Sequence, residues 1–112
     1  LPARVDSGRR DWSVTAHPGI ATPEQPASGQ TGYFYYLAVM ARTLEVLGQK
    51  ELVDAEGKSH DWAREIATVL LERQGKDGSW TNPVDRWWEG DPVLATSYAL
   101  QALNICYANM EE

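Results

Sequence analysis

Cysteine, histidine and phenylalanine are scarce in this chain of 112 residues, which carries one Cys, two His and one Phe. The lone Cys106 excludes an intrachain disulfide framework. It reads as a small core residue, since a nucleophile needs a neighbouring base and none is indicated. Basic residues are short as well, ten Lys and Arg against sixteen Asp and Glu, for a net charge of −6. A nucleic-acid binder carries a basic stripe, so no nucleic-acid partner is expected. No apolar run approaches the ~18 residues of a membrane span, so no span is expected. No second His, Cys or carboxylate stands at metal-ligand spacing from His60, and a neutral role beside a helix cap is expected for it. The chain starts at Leu1 rather than Met, so it is expected to be a piece of a longer polypeptide, and no compartment is assigned.

What the chain has is tryptophan and tyrosine, five of each, within a hydrophobic content of 43%. Such rings suit core and cavity walls that also need a polar tip. Residues 1–30 show no sustained period and are broken by His17-Pro18-Gly19, Pro23, Pro26 and Ser28-Gly29. They read as an extended N-terminal arm without its own core, pinned to the body through Trp12 and Val14. Its Arg4, Arg9 and Arg10 read as solvated surface.

Residues 31–112 read as all-α, with helices expected at about 32–47, 60–74 and 92–109. Tyr33, Tyr36, Leu37, Met40, Ala41, Leu44 and Leu47 share one face of the first, and Phe34, Ala38, Val39 and Val46 make the other side apolar too. A helix apolar nearly all round is expected to be buried on nearly all sides, and Gly48 suits its stop. The second is amphipathic, with Trp62, Ile66, Val69 and Leu70 on one stripe and Ser59 or Asp61 as N-cap. Residues 50–58 read as a plain connector. Asp91-Pro92 opens the third helix, with Asp at the N-cap and Pro where its missing N–H costs nothing. Tyr35, Leu37 and Met40 align with Tyr98, Leu100 and Leu103, 63 residues later, so the apolar helices repeat around an amphipathic one. That alternation suits a double ring, whose inner helices are covered outside and face a cavity within.

Between the second and third helices lies Gln74-Gly75-Lys76-Asp77-Gly78-Ser79-Trp80. Asp-Gly is a turn signal, because Gly tolerates φ > 0 and Asp bonds its own backbone. A Gln before the turn and a Trp after it can fold back on each other and clip the helix end, so Trp80 is expected to be buried against Gln74. The spacing of Leu70, Gln74, Gly78 and Trp80 resembles the QW repeat of the squalene–hopene cyclase and protein prenyltransferase superfamily. Val69 stands where an aromatic is usual there, and Glu65 and Ile66 where a basic and a small residue are usual. The resemblance is therefore to the repeat, over about Gly32 to Tyr107, rather than to a cyclase in particular.

The resemblance implies an α/α toroid of terpenoid cyclase/prenyltransferase type, present here only in part and completed by the remainder of a larger toroid or by self-association. Its cavity would be shaped by Tyr33, Tyr36, Trp87, Trp88 and Tyr98, with Asp85 and Glu89 beside the Trp pair. No catalytic residue, metal site or cofactor is assigned, because the Asp-rich acid motif of the cyclases and the zinc ligands of the prenyltransferases have no counterpart here. Asp91 reads as a helix cap, and Asp85 and Glu89 as a bracket around Arg86. The leading expectation is a non-catalytic segment that takes an apolar, isoprenoid-like ligand or a protein partner. Two alternatives stand: an isoprenoid enzyme with its catalytic residues elsewhere, or a carbohydrate-active toroid such as a pectate lyase, with the Trp pair as a sugar platform and Asp85 or Glu89 acting on the sugar chain by acid/base chemistry.

Overall fold

The computed structural model describes residues 3–4, 14, 30–54, 56–85 and 88–110. Three helices dominate them: α1 (Tyr33–Leu47), α2 (Trp62–Arg73) and α3 (Pro92–Ala108). Three two-residue strands form a small sheet. In it β2 (Leu52–Val53) lies between β1 (Ala3–Arg4), which is parallel to it, and β3 (Ser59–His60), which is antiparallel. The stretch expected as a connector is thus a hairpin. Asp54 makes its turn, its Oδ1 accepting from the backbone N–H of Glu56 and of Lys58. An Asp that bonds the backbone two residues on imitates a backbone turn. The short β1 brings the N-terminal arm onto the body, and Val14 packs on the core and accepts the Tyr33 hydroxyl. Trp12 lies outside the described residues.

Each helix starts and stops where local chemistry allows. Asp61 and Asp91 are the N-caps of α2 and α3, accepting from Arg64 N–H at 3.3 Å and Val93 N–H at 2.9 Å. Gly48 ends α1 at φ 73, and its N–H bonds back to Leu44 and Glu45. The helix α3 packs on both α1 and α2, which touch each other less. Tyr35 meets Tyr98 near the starts of α1 and α3, and Glu45 meets Asn109 near their ends, so these two helices run in the same direction. The end of α2 reaches back to the start of α1, where the Arg73 guanidinium sits 4.2 Å from the centre of the Tyr33 ring. Ala95, Ala99, Ala102 and Cys106 are buried along α3 and let its backbone come close to its neighbours. With Leu37, Trp62, Ile66, Leu70 and Trp80 they form one core.

The apolar helices are not covered all round. In α1, Tyr35, Val39, Val46 and Leu47 are exposed, and in α3 Val93, Leu100 and Tyr107 are. Three helices have too few neighbours to hide two all-apolar ones, so the sides turned away from the core remain open.

Candidate functional site

The QW-like turn is built from hydrogen bonds among its own positions. The indole N–H of Trp80 donates to the carbonyl of Leu70 at 2.8 Å, and the Gln74 amide donates to the carbonyl of Gly78 at 2.9 Å. Leu70 belongs to the last turn of α2, whose carbonyls lack helical partners. Trp80 supplies one such partner from within the core, where it is 2% exposed. Its backbone N–H donates to the Thr96 hydroxyl of α3 at 3.0 Å, joining the turn to the next helix. Gly78 sits at φ 89, which an L side chain rarely adopts, so glycine is required there. Trp80 is buried as expected. Gln74, however, is exposed and closes the turn backbone rather than covering the indole.

The loop between this turn and α3 holds the remaining candidates. Its organiser is Asn82, which is 3% exposed. The Asn82 amide donates to the Gln30 carbonyl at 2.6 Å and to Glu89 Oε1 at 3.0 Å, and its backbone N–H donates to the Glu89 carbonyl at 2.9 Å. Arg86, which Asp85 and Glu89 were expected to bracket, lies outside the described residues. The Glu89 carboxylate turns inward and accepts the N–H groups of Phe34 at 2.9 Å and Tyr35 at 2.8 Å. Those are open donors of the first turn of α1, and the N-cap residue Gly32 has no side chain to meet them. Glu89 therefore caps α1 from 55 residues away in sequence, with its charge at the positive end of the helix. Asp85 is exposed and folds onto the same loop, its Oδ1 accepting Gly90 N–H at 2.7 Å. A Cβ at Gly90 would meet the Asp85 carboxylate at 2.7 Å, so a larger residue there would push that carboxylate aside.

Of the expected cavity aromatics, the fold brings Trp88 and Tyr98 together and sends Tyr33 elsewhere. Tyr33 is fully buried between the arm and α2. Burial pushes its hydroxyl pKa up to about 12, and likewise that of half-buried Tyr36 to about 12. Trp87 lies outside the described residues. Trp88 is 72% exposed and sits at φ 64. Trp88, Tyr98, Leu94 and Glu89 line a hollow of about 240 Å³ together with Tyr35, a residue absent from the sequence-based candidates. The Tyr35 and Tyr98 rings meet edge to face, 5.4 Å between centres and 69° between planes. They also wall a second hollow of about 240 Å³ that runs along α1 and α3 past Val39, Arg42 and Gln101. Tyr35 was findable, because the internal repeat aligns it with Tyr98.

A second polar cluster lies at the start of α2. His60 is 7% exposed and its ring is held between two carboxylates, Nε2 to Asp54 Oδ2 at 2.8 Å and Nδ1 to Glu65 Oε2 at 2.9 Å. A neutral imidazole can donate from only one nitrogen, so two carboxylate partners favour the protonated ring. Burial works against that charge, and the two carboxylates overcome it, so the His60 pKa is raised. The Asp54 pKa is lowered, first by its bond to His60 and then by Lys58 N–H. The role expected for His60 beside the cap is thus extended: the two carboxylates favour its protonated form. Among the described residues, no group of three or more His, Cys, Asp or Glu is placed to hold a metal ion. Cys106 is fully buried, and burial pushes its thiol up to about 12, which keeps it out of nucleophilic chemistry at neutral pH. No helix among the described residues is long and apolar enough to cross a membrane.

No protein-family model, curated protein or solved structure matches the chain.

Proposed function

We propose that the chain is a segment of a QW-repeat α/α toroid, and that the aromatic face of α1 and α3 receives an apolar, isoprenoid-like ligand or a protein partner. The observation that carries this is the uncovered apolar side of those two helices. Tyr35 is 48% exposed and Val39 45%, and with Tyr98 they border the hollow that runs along α1 and α3. Contiguous exposed apolar surface of this kind marks an interaction site. The turn supports the toroid part of the reading. Its four repeat positions pair off as Trp80 with Leu70 and Gln74 with Gly78, which gives each a reason to stand where the repeat has it. The parallel course of α1 and α3, with α2 set against α3, also suits neighbouring inner helices and an outer one.

No residue is proposed as catalytic. Glu89 is committed to the α1 amides and Asp85 to its own loop, so neither is poised for the acid/base work that the carbohydrate reading asks of them. The test is mass spectrometry of an organic extract from the purified protein. A stoichiometric isoprenoid or other lipid is expected, and it should be lost when Tyr35 and Val39 are both changed to Asp. An extract free of lipid, together with binding of polysaccharide that depends on Trp88, would replace this reading with the carbohydrate one.

A further inference from the structure

We propose that the hollow bounded by Tyr35, Trp88, Glu89 and Tyr98 is a binding site for a small alkylammonium cation, the head group of a quaternary or methylated amine. Three aromatic residues, Leu94 and the acidic Glu89 line this hollow. At about 240 Å³ it falls below the roughly 300–1,000 Å³ of pockets that enclose a whole drug-sized molecule, so it suits a head group. Aromatic faces carry negative potential and attract cations, and cages of such rings recognise quaternary ammonium ligands.

The carboxylate decides between a cation and a neutral occupant. Glu89 is 1% exposed, and its bonds are to neutral donors: the N–H groups of Phe34 and Tyr35 and the amide of Asn82. Among the described residues, no Lys or Arg forms an ion pair with it. Among the described residues, Oε2 accepts only the Tyr35 N–H, which leaves it acceptor capacity. The N–H groups of Phe34, Tyr35 and Asn82 hold the carboxylate in place, and its remaining acceptor capacity can draw a positive group, which a neutral occupant does not bring. A methylated ammonium fits better than a bare one, because the aromatic walls offer few acceptors for N–H groups.

Trp88 is held in place for such a role. It is the one described non-glycine residue at positive φ, and its ring is mostly in solvent, so core packing does not explain the conformation. The loop imposes it. Trp88 N–H donates to the Asp85 carbonyl, and the Trp88 carbonyl accepts the Asp91 N–H, both at 3.1 Å. Strain held by its surroundings at an exposed aromatic is the kind found at ligand clamps. The site is built wholly from this chain and does not depend on the toroid reading.

The experiment is an NMR titration of the protein labelled at its tryptophan indoles, following Trp88 with choline and with its neutral carbon isostere, 3,3-dimethylbutan-1-ol. Sodium chloride at matched concentration is the blank. Choline should shift the Trp88 indole saturably and bind at least about tenfold more tightly than the isostere, since only the charge differs. Trp88→Gly should fold, because it relieves the positive φ, yet weaken choline binding at least about tenfold, followed on the Tyr35 and Tyr98 ring signals. Tyr98→Leu, which keeps an apolar side chain at the core edge, should weaken it similarly. Equal affinity for choline and the isostere would overturn the proposal, as would unchanged choline affinity in both variants or no Trp88 response up to about 50 mM choline. Those outcomes leave the lipid extraction result untouched, so the two readings fail separately.

Discussion

Trp80 and Trp88 stand eight residues apart on either side of one loop, and the fold uses them in opposite ways. Trp80 is buried, and its indole N–H closes the end of α2. Trp88 is exposed, at positive φ, and no described residue accepts its indole N–H. The difference lies in what each position offers the ring. At Trp80 a core wall and an open helix carbonyl coincide, so both the apolar body and the polar tip are used. At Trp88 the backbone points the ring outward beside Tyr35, Tyr98 and a buried carboxylate, where it can serve only something that arrives from outside.

The sharpest way to break that comparison is to remove each ring. Trp80→Ala should destabilise the protein by about 4 kcal/mol, the cost of a large core cavity with a lost hydrogen bond. Trp88→Ala should change stability by less than about 0.5 kcal/mol, as surface substitutions do. Urea unfolding of the two variants measures both, and equal losses would erase the distinction. Next in size is the loop that carries Trp88. Glu89→Ala strips the cap from α1 and should cost about 3 kcal/mol, the worth of charge-assisted bonds to two buried amides. Hydrogen exchange should show the Phe34 and Tyr35 amides losing protection before the rest of α1.

Acidity separates this loop from the hairpin. His60 has its pKa raised on folding, so it contributes stability that is fully present below its ordinary value of 6.5 and is lost as pH rises through the folded value. Asp54 has its pKa lowered, so it contributes stability present above its ordinary 3.8 and lost as pH falls through the folded value. Melting temperature should therefore pass through a maximum between these limits. His60→Gln should flatten the alkaline side and lower the maximum. A profile unchanged by His60→Gln would mean that the ring is neutral. The smallest effect belongs to the exposed end of the turn, where Gln74→Ala should cost about 1 kcal/mol, the net worth of its bond to Gly78.

What could be read from the sequence was local. The three helices follow from periodicity, and Asp91-Pro92 and Gly48 mark their ends through chemistry confined to a turn. The burial of Trp80 beside the end of α2 was legible because the whole turn spans ten residues, but its partner is the Leu70 carbonyl rather than the expected Gln74. Glu89 was not, because the amides that it caps lie 54 and 55 residues away and a Gly32 N-cap gives no hint of a remote carboxylate. The carboxylate pair around His60 escaped for a related reason. Asp54 and Glu65 flank the ring at six and five residues, a spacing that only the hairpin turn converts into contact. The open faces of α1 and α3 were misjudged because all-round apolarity states that a helix wants neighbours and does not supply them.

The central claim, that one tryptophan builds the fold while the other faces a ligand, is tested most directly by hydrogen exchange at the tryptophan indoles. The account predicts slow exchange for Trp80, bonded to Leu70, and for Trp62, bonded to the Gln49 carbonyl, with fast exchange for Trp88. Added choline should then move the Trp88 signal alone. A protected Trp88 indole, or a Trp80 indole that exchanges as fast as Trp88, would contradict it.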